Sequence, residues 1–204
     1  MSSSVVIGVA GGSGSGKTTL CDRIAADLGQ HAQLISSDHY YHCLAHLPAG
    51  ERATANFDHP DAIDFDLLAE HLKALGGGDA VHVPQYCFET HSRGAETSKL
   101  NARPLILVEG VLLFSSQLVR EQLDIRIFVD ADDEVRFRRR LERDVAKRGR
   151  TEASVREQWD RFVEPMHEQF VAPSRKHADL IIDSNRSNPL AYQVFLAGLR
   201  SLAS

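Results

Sequence analysis

Gly11-Gly12-Ser13-Gly14-Ser15-Gly16-Lys17-Thr18, set directly behind the apolar run Val5-Val6-Ile7-Gly8-Val9-Ala10, has the residue types and spacing to hold phosphate. The pattern G-x-x-x-x-G-K-[ST] lets glycines turn the backbone tightly enough for successive N–H groups to surround phosphate oxygens. A helix starting near Gly16 then points its positive end inward. Lys17 is spaced to reach the β and γ phosphates of a nucleoside triphosphate and Thr18 to ligate Mg²⁺, with Thr19 continuing the loop into the helix. A Gly-Ser linker needs neither the lysine nor the flanking apolar periodicity.

Two carboxylates end hydrophobic segments and so belong near that loop. Leu105-Ile106-Leu107-Val108-Glu109-Gly110 reads as a strand finishing in an acid, which makes Glu109 a candidate Mg²⁺ ligand; the alternative is a cap on a following helix. Asp38 ends Leu34-Ile35-Ser36-Ser37-Asp38. Phosphoryl transfer needs an aligned acceptor hydroxyl more than a strong base, so Asp38 is the candidate base, with Mg²⁺ ligation or turn capping as its other roles. His39, His42, Cys43 and His46 recur at i, i+3, i+4, i+7, which on a helix would gather four possible zinc ligands. The segment lacks C-x-x-C or H-E-x-x-H spacing and follows Asp38, where a substrate loop is expected, so no structural metal is assigned to it.

The charge distribution adds a third feature. The chain of 204 residues carries a formal charge of -5, yet between Arg136 and Arg150 eight Lys or Arg face two acids, a local balance of +6 that leaves -11 for the rest. On a helix, Arg136, Arg140, Arg143 and Lys147 form one stripe and Phe137, Leu141 and Val145 another, so the segment is expected to pack by its apolar stripe and display cations opposite. Solvated charge is the ordinary reading of such a run. Beside a phosphate loop it instead suggests a closing lid of about residues 136–165, with Arg148-Gly149-Arg150 as hinge and tip.

These residues need a frame. Val5 to Ala10, Leu34 to Ser36, Leu105 to Glu109, Ile125 to Asp130 and Leu180 to Asp183 read as buried strands. Between them Thr18 to Leu28, and Phe65, Leu68, Leu72 and Leu75 behind the N-cap Asp64, have helical spacing, the latter ending at Gly76-Gly77-Gly78. Alternating strands and helices predict an α/β fold: a five-stranded parallel sheet flanked by helices, in one domain over 1–204, with the site at the carboxyl ends of the strands. An apolar content of 43% suffices for a core. Cys21, Cys43 and Cys87 form no C-x-x-C pair, Met-Ser-Ser-Ser lacks the basic start of a signal peptide, and no stretch approaches a membrane span. The expectation is a soluble cytoplasmic protein that binds neither membrane nor nucleic acid.

Further blocks carry a resemblance. Ser37-Asp38-His39-Tyr40-Tyr41, Asn56-Phe57-Asp58-His59-Pro60-Asp61-Ala62, Pro84-x-Tyr86-x-Phe88-x-x-His91-Ser92-Arg93, Val108-Glu109-Gly110, Phe128-Val129-Asp130, Gln158, Pro165-Met166-His167 and Ala178-Asp179-Leu180-Ile181-Ile182 join the phosphate loop and the arginine helix in order. From Gly8 to about Asn188 the chain resembles the uridine kinase (uridine-cytidine kinase) family of phosphate-loop kinases. The resemblance implies that Asp38 is the general base and that Thr18, Glu109 and Asp38 surround Mg²⁺. It implies that Asp58 binds the ribose hydroxyls with help from Arg140, and that Tyr86, Phe88 and His91 form the base pocket. Arg143, Arg148 and Arg150 match the lid cations, the first two toward the triphosphate, while Arg150 and Gln158 reach the nucleoside. Without the resemblance, Asn56 to Ala62 would read as a surface turn and Tyr86 with Phe88 as core.

A neutral His91 can donate to O4 of uracil or accept from N4 of cytosine, so both nucleosides are expected as substrates and purine nucleosides as poor ones. ATP is the implied donor, with GTP left open; Asn185 to Asn188, behind the last strand, is the segment that could hold the adenine. Family analogy adds a homo-oligomer, a tetramer. Two readings compete: a related kinase of another small alcohol, such as ribulose 5-phosphate or pantothenate, and a nucleotide-binding switch without transfer activity.

Overall fold

A computed structural model of the chain describes residues 4–53 and 55–203. Its strands are β1 (Val5–Ala10), β2 (Ala32–Ser36), β3 (Val81–Cys87), β4 (Ser92–Leu100), β5 (Leu105–Gly110), β6 (Ile125–Asp130) and β7 (Leu180–Asp183). Five of them lie parallel in the order β2-β5-β1-β6-β7, and β3 and β4 form a separate antiparallel hairpin. The register sets the chemistry-bearing ends level: Ala10 pairs with Gly110, and Ser36 with Glu109. The phosphate loop therefore leaves β1 beside the acid of β5 and the segment that leads from β2 to Asp38.

Strand alternation divides the core between the sheet's two faces. Ile7, Val9, Leu105 and Leu107 pack with Cys21, Ile24 and Leu28 of helix α1 (Lys17–Leu28). Val6, Ile106 and Val108 point the other way, where α3 (Phe65–Gly76), which follows the short α2 (Ala49–Ala53) in the chain, supplies Leu68, Leu72 and Leu75. Asp64 caps α3 by accepting from the Leu67 N–H at 3.1 Å, and the helix gives way at Gly77 as the glycine run predicts.

Beyond the short α4 (Gln117–Arg120), helix α5 (Asp133–Arg148) carries the arginines and ends at Gly149, whose φ of +62° reverses the chain without a Cβ penalty. A helical run over 152–174 follows: α6 (Glu152–Gln158), a π turn, α7 (Glu164–Met166), a second π turn and α8 (Ala172–Ser174). Each π turn precedes a proline, Pro165 or Pro173, whose ring crowds the carbonyl four residues back and offers no N–H; the widened turn absorbs both effects. Helix α9 (Pro189–Leu202), capped by Asn188, closes the chain. Among the described residues no helix is long and apolar enough to cross a membrane; Met1 to Ser3, part of the stretch screened for a leader, lie outside them.

One sequence expectation is reversed. The cationic stripe of α5 faces inward: Arg136 is 1% exposed and Arg140 7%, whereas Val145, from the apolar stripe, is 45% exposed. Burial of these guanidinia is tolerated because carboxylates meet them, Asp133 at 2.8 Å and Glu164 at 2.9 Å from Arg136, and Asp144 from Arg140. Phe137 packs edge-on against Trp159, so the apolar stripe serves the neighbouring helix instead of the sheet. Lys147 is exposed.

Candidate functional site

The loop from Gly11 to Gly16 has the backbone that anion binding requires, with φ of +151° at Gly11, +81° at Gly14 and +97° at Gly16. A Cβ at Gly14 would lie 2.2 Å from the Arg136 carbonyl oxygen, so the loop rests directly on α5. Gly12 and Ser13 are buried, Ser15 donates its N–H to the Gly12 carbonyl at 3.0 Å, and Arg139 ties the Ser15 carbonyl to Ser184. Lys17 opens α1 and is buried; Thr18 and Thr19 stand exposed in its first turn.

Thr18 donates to Glu109 Oε2 at 3.2 Å, and Ser36 donates to Oε1 at 2.9 Å. The hydroxyls and the carboxylate form a set of hard oxygen donors beside the loop, which fits Mg²⁺ in chemistry. Ser36 is a partner that the sequence alone did not single out. Its hydroxyl also accepts from the Asp38 N–H at 3.3 Å, so Glu109 and the 3-10 turn Ser37–Tyr40 that presents Asp38 share one anchor. That turn ends at Tyr40 and Tyr41 is extended, so His39, His42, Cys43 and His46 do not share a helix face.

Asp58 stands within the field of Lys17 and of the α5 arginines. Burial pushes its carboxyl above the ordinary range, opposed by the positive charges of Arg140, Lys17, Arg150 and Arg143. Tyr41 joins the two aspartates: burial, then the charges of Asp38 and Asp58, hold its phenol well above the usual value. Around Tyr41 runs a chain of rings, Phe57 at 5.5 Å, Tyr86 at 5.4 Å, Phe88 a further 5.3 Å from Tyr86, and His91 stacked on Phe57 at 4.5 Å and 21°. Phe88 is 51% exposed, an uncovered apolar ring at the edge of this group. Cys87, next to Tyr86 on β3, faces away from it by strand alternation. Burial and the charges of Arg150 and Arg52 lower the His91 pKa, which favours its neutral ring.

The arginines close the other side. Arg140 donates to Ser13 Oγ at 2.8 Å and to Gln158 Oε1 at 3.4 Å, and Arg150 donates to the same Gln158 oxygen. Arg140 thus touches the loop, while Arg148 feels the charge of Asp38 and both Arg143 and Arg150 act on Asp58, so the bank bears on the two aspartates through its charge. Asn185 and Asn188 are engaged locally, Asn185 with Asp132 and Asn188 as the cap of α9.

A glycine-rich loop, a set of oxygen donors, two aspartates and a bank of arginines thus gather around the loop end of the sheet. The family model described as Phosphoribulokinase / Uridine kinase matches residues 6–191. The chain belongs to that family. A uridine kinase of Chloroflexus aggregans is 46% identical over 201 residues, 97% of this chain and 95% of its own. One from Staphylococcus epidermidis is 43% identical over 205 residues, 100% and 99%. Among solved structures, a possible uridine kinase from Bacillus stearothermophilus shares the fold with a TM-score of 0.62 at 19% identity, covering 90% of each chain. The phosphoribulokinase from Rhodobacter spheroides does so with a TM-score of 0.67 at 18% identity, over 89% of this chain and 70% of its own. The chain is a phosphate-loop kinase.

Sequence reasoning missed Tyr41, Phe57, Ser36 and Asp144. The first two sat inside quoted motifs, where an aromatic beside each aspartate was the available signal. Asp144 was counted only as one of two acids among eight cations.

Proposed function

We propose that the chain transfers the γ-phosphoryl group of ATP to the 5'-hydroxyl of uridine and cytidine. The observation that carries this reading is the placement of Asp58: it lies within the field of Lys17 and of Arg140, Arg143 and Arg150, and through Tyr41 it adjoins the rings of Phe57 and Tyr86. A carboxylate suits the two hydroxyls of a ribose and flat rings suit a pyrimidine, so acceptor-side groups stand against the phosphate loop. The names of the full-length relatives support the same acceptor. A sugar phosphate has no base for these rings to hold, which disfavours the other acceptors of the family.

In this reading the loop N–H groups and Lys17 hold the donor phosphates, while Asp58, Arg140, Arg150 and Gln158 fix the nucleoside sugar. Mg²⁺, when bound, neutralises the triphosphate and orients its oxygens, with Thr18 and Glu109, joined by Asp38, as the residues that would hold it. Asp38 accepts the 5'-hydroxyl proton as that oxygen bonds to the γ-phosphorus and the bond to the bridging oxygen of ADP breaks. Arg140, Arg143, Arg148 and Arg150 spread positive charge over the transferring group, and the 136–165 segment acts as the lid that excludes water. Exposed Leu190 and Val194 of α9 offer a surface for the expected homo-oligomer.

A coupled ADP-release assay over uridine, cytidine, adenosine, ribulose 5-phosphate and pantothenate, with ATP or GTP, tests the proposal. Turnover is expected with uridine and cytidine; adenosine used as well as uridine would refute the pocket. Asp38→Asn should keep triphosphate affinity and lose at least about 10²-fold in turnover. Retained turnover would remove Asp38 as base.

A further inference from the structure

Asp144 is fully buried, with 0% of its side chain exposed, at the centre of the arginine bank. Its Oδ1 accepts from Arg143 Nε at 2.8 Å and lies 3.5 Å from Arg148 Nη1; its Oδ2 lies 3.3 Å from Arg150 Nη1 and 3.6 Å from Arg140 Nε. Its backbone carbonyl also accepts from the Gly149 and Arg150 N–H groups, so the same residue holds the turn that carries the last two arginines.

From this geometry we infer that Asp144 is a positioning residue for phosphoryl transfer, gathering Arg140, Arg143, Arg148 and Arg150 into the one arrangement that aims them at the phosphate loop. The inference rests on the kinase reading above. Four guanidinia this close repel one another and each has many rotamers. One shared carboxylate supplies a common acceptor and leaves the group a net +3, enough to attract a triphosphate. Burial alone would raise the Asp144 pKa, but the Arg143 hydrogen bond and the charges of Arg143, Arg140 and Arg148 outweigh it and hold the group ionised. Arg140 and Arg150 also share Gln158, and Arg140 reaches Ser13 of the loop, so an error at Asp144 propagates directly to the reacting phosphates. Asp144 touches neither substrate; it acts through the arginines.

Three accounts of Asp144 separate in the variant Asp144→Asn, assayed for kcat, for KM of ATP and for thermal midpoint. A positioning role predicts that kcat per folded molecule falls by about 10-fold to 10²-fold, as misaligned transition-state donors do, while KM for ATP does not fall; losing a buried ion-pair partner lowers the melting point on any account, so kcat is measured well below it. A mere counter-charge predicts the reverse: freeing one more positive charge tightens ATP while kcat holds, and that result overturns the inference. A merely structural role predicts a lower melting point with unchanged kcat per folded molecule, which overturns it as well. Should Asp144→Asn not fold, Arg143→Lys keeps the charge but loses the Nε–H donor to Oδ1; unchanged kcat in that variant refutes the arrangement. If the wild type phosphorylates no nucleoside, the kinase reading fails by itself. Calorimetric binding of a non-hydrolysable ATP analogue then tests Asp144 separately: equal or weaker binding by Asp144→Asn is expected, and tighter binding refutes the inference.

Discussion

Gly110, the last residue of β5, offers the sharpest test of how the fold sets the chemistry, because it has no side chain of its own yet touches the segment that presents Asp38. A Cβ built there would lie 2.0 Å from Ser37 Oγ, 2.8 Å from Ser37 Cβ and 3.2 Å from Leu113 Cγ. Turning the Ser37 hydroxyl away can relieve the first contact but not the second, which falls 0.6 Å short of an ordinary 3.4 Å separation. Ser37 is fully buried, so the backbone at 37, and with it Asp38, must move by about 0.6–1 Å in Gly110→Ala. Overpacking of this kind costs roughly 1–3 kcal/mol, or a fall of about 2–12 °C in melting temperature for a chain of this size. A displacement near 1 Å of a reacting group costs up to about 10²-fold in kcat. Steady-state assay should therefore show kcat reduced by about 10-fold or more in Gly110→Ala, with KM for ATP little changed. Ser37→Gly removes both clashing atoms, so the double variant Gly110→Ala/Ser37→Gly should return to within a few-fold of Ser37→Gly alone. Wild-type kcat in the single variant, or a double variant no better than the single one, refutes the reasoning.

Glu109→Gln keeps the shape but removes the negative charge opposite Thr18, so the Mg²⁺ concentration for half-maximal rate should rise by about 10-fold or more; a magnesium titration at saturating nucleotide checks it. Asp58 must be ionised to accept from a ribose diol and burial raises its pKa, so KM for nucleoside should climb as pH falls, starting above the pH at which an ordinary aspartate protonates. In Asp58→Asn that acid limb should vanish. For stability the sign is opposite, since a raised folded-state pKa contributes most below the ordinary carboxylate value and is lost as pH rises through the folded one. His167, its pKa lowered from 6.5 to about 4 by burial and then by Arg136, favours the neutral ring when folded. Its contribution is present above pH 6.5 and is lost as pH falls toward 4, so melting temperatures measured from pH 7.5 to 4.5 should drop less steeply in His167→Gln than in the wild type.

The parallel sheet was legible because its strands are continuous apolar runs: Val5–Ala10, Ile125–Asp130 and Leu180–Asp183 begin and end where the pattern places them. The hairpin was not, since Ser-Arg-Gly-Ala-Glu-Thr-Ser-Lys-Leu of β4 is almost wholly exposed and carries no alternation to read. On α5 the pattern misled. Periodicity locates a helix, but deciding which face is buried assumes that apolar residues go inward, and here carboxylates from other turns make burial of guanidinium acceptable. Thr18 meets Glu109 at 3.2 Å, and the Asp38 backbone N–H shares the Ser36 anchor, at the strand ends where the sequence places them. Tyr41 and Phe57 escaped because their meeting depends on how two loops fold back on each other, which no local spacing records.

The β3–β4 hairpin is fastened to the rest by Arg93, which donates to the Tyr41 and Tyr40 carbonyls at 2.7 and 2.6 Å and to Asp64 Oδ2 at 3.0 Å. It contributes no strand to the five-stranded sheet and no residue to the phosphate loop. On the proposed reading, substitutions in this appendage that spare Arg93 can therefore remodel which alcohol is received and leave the parts that deliver the phosphoryl group in place.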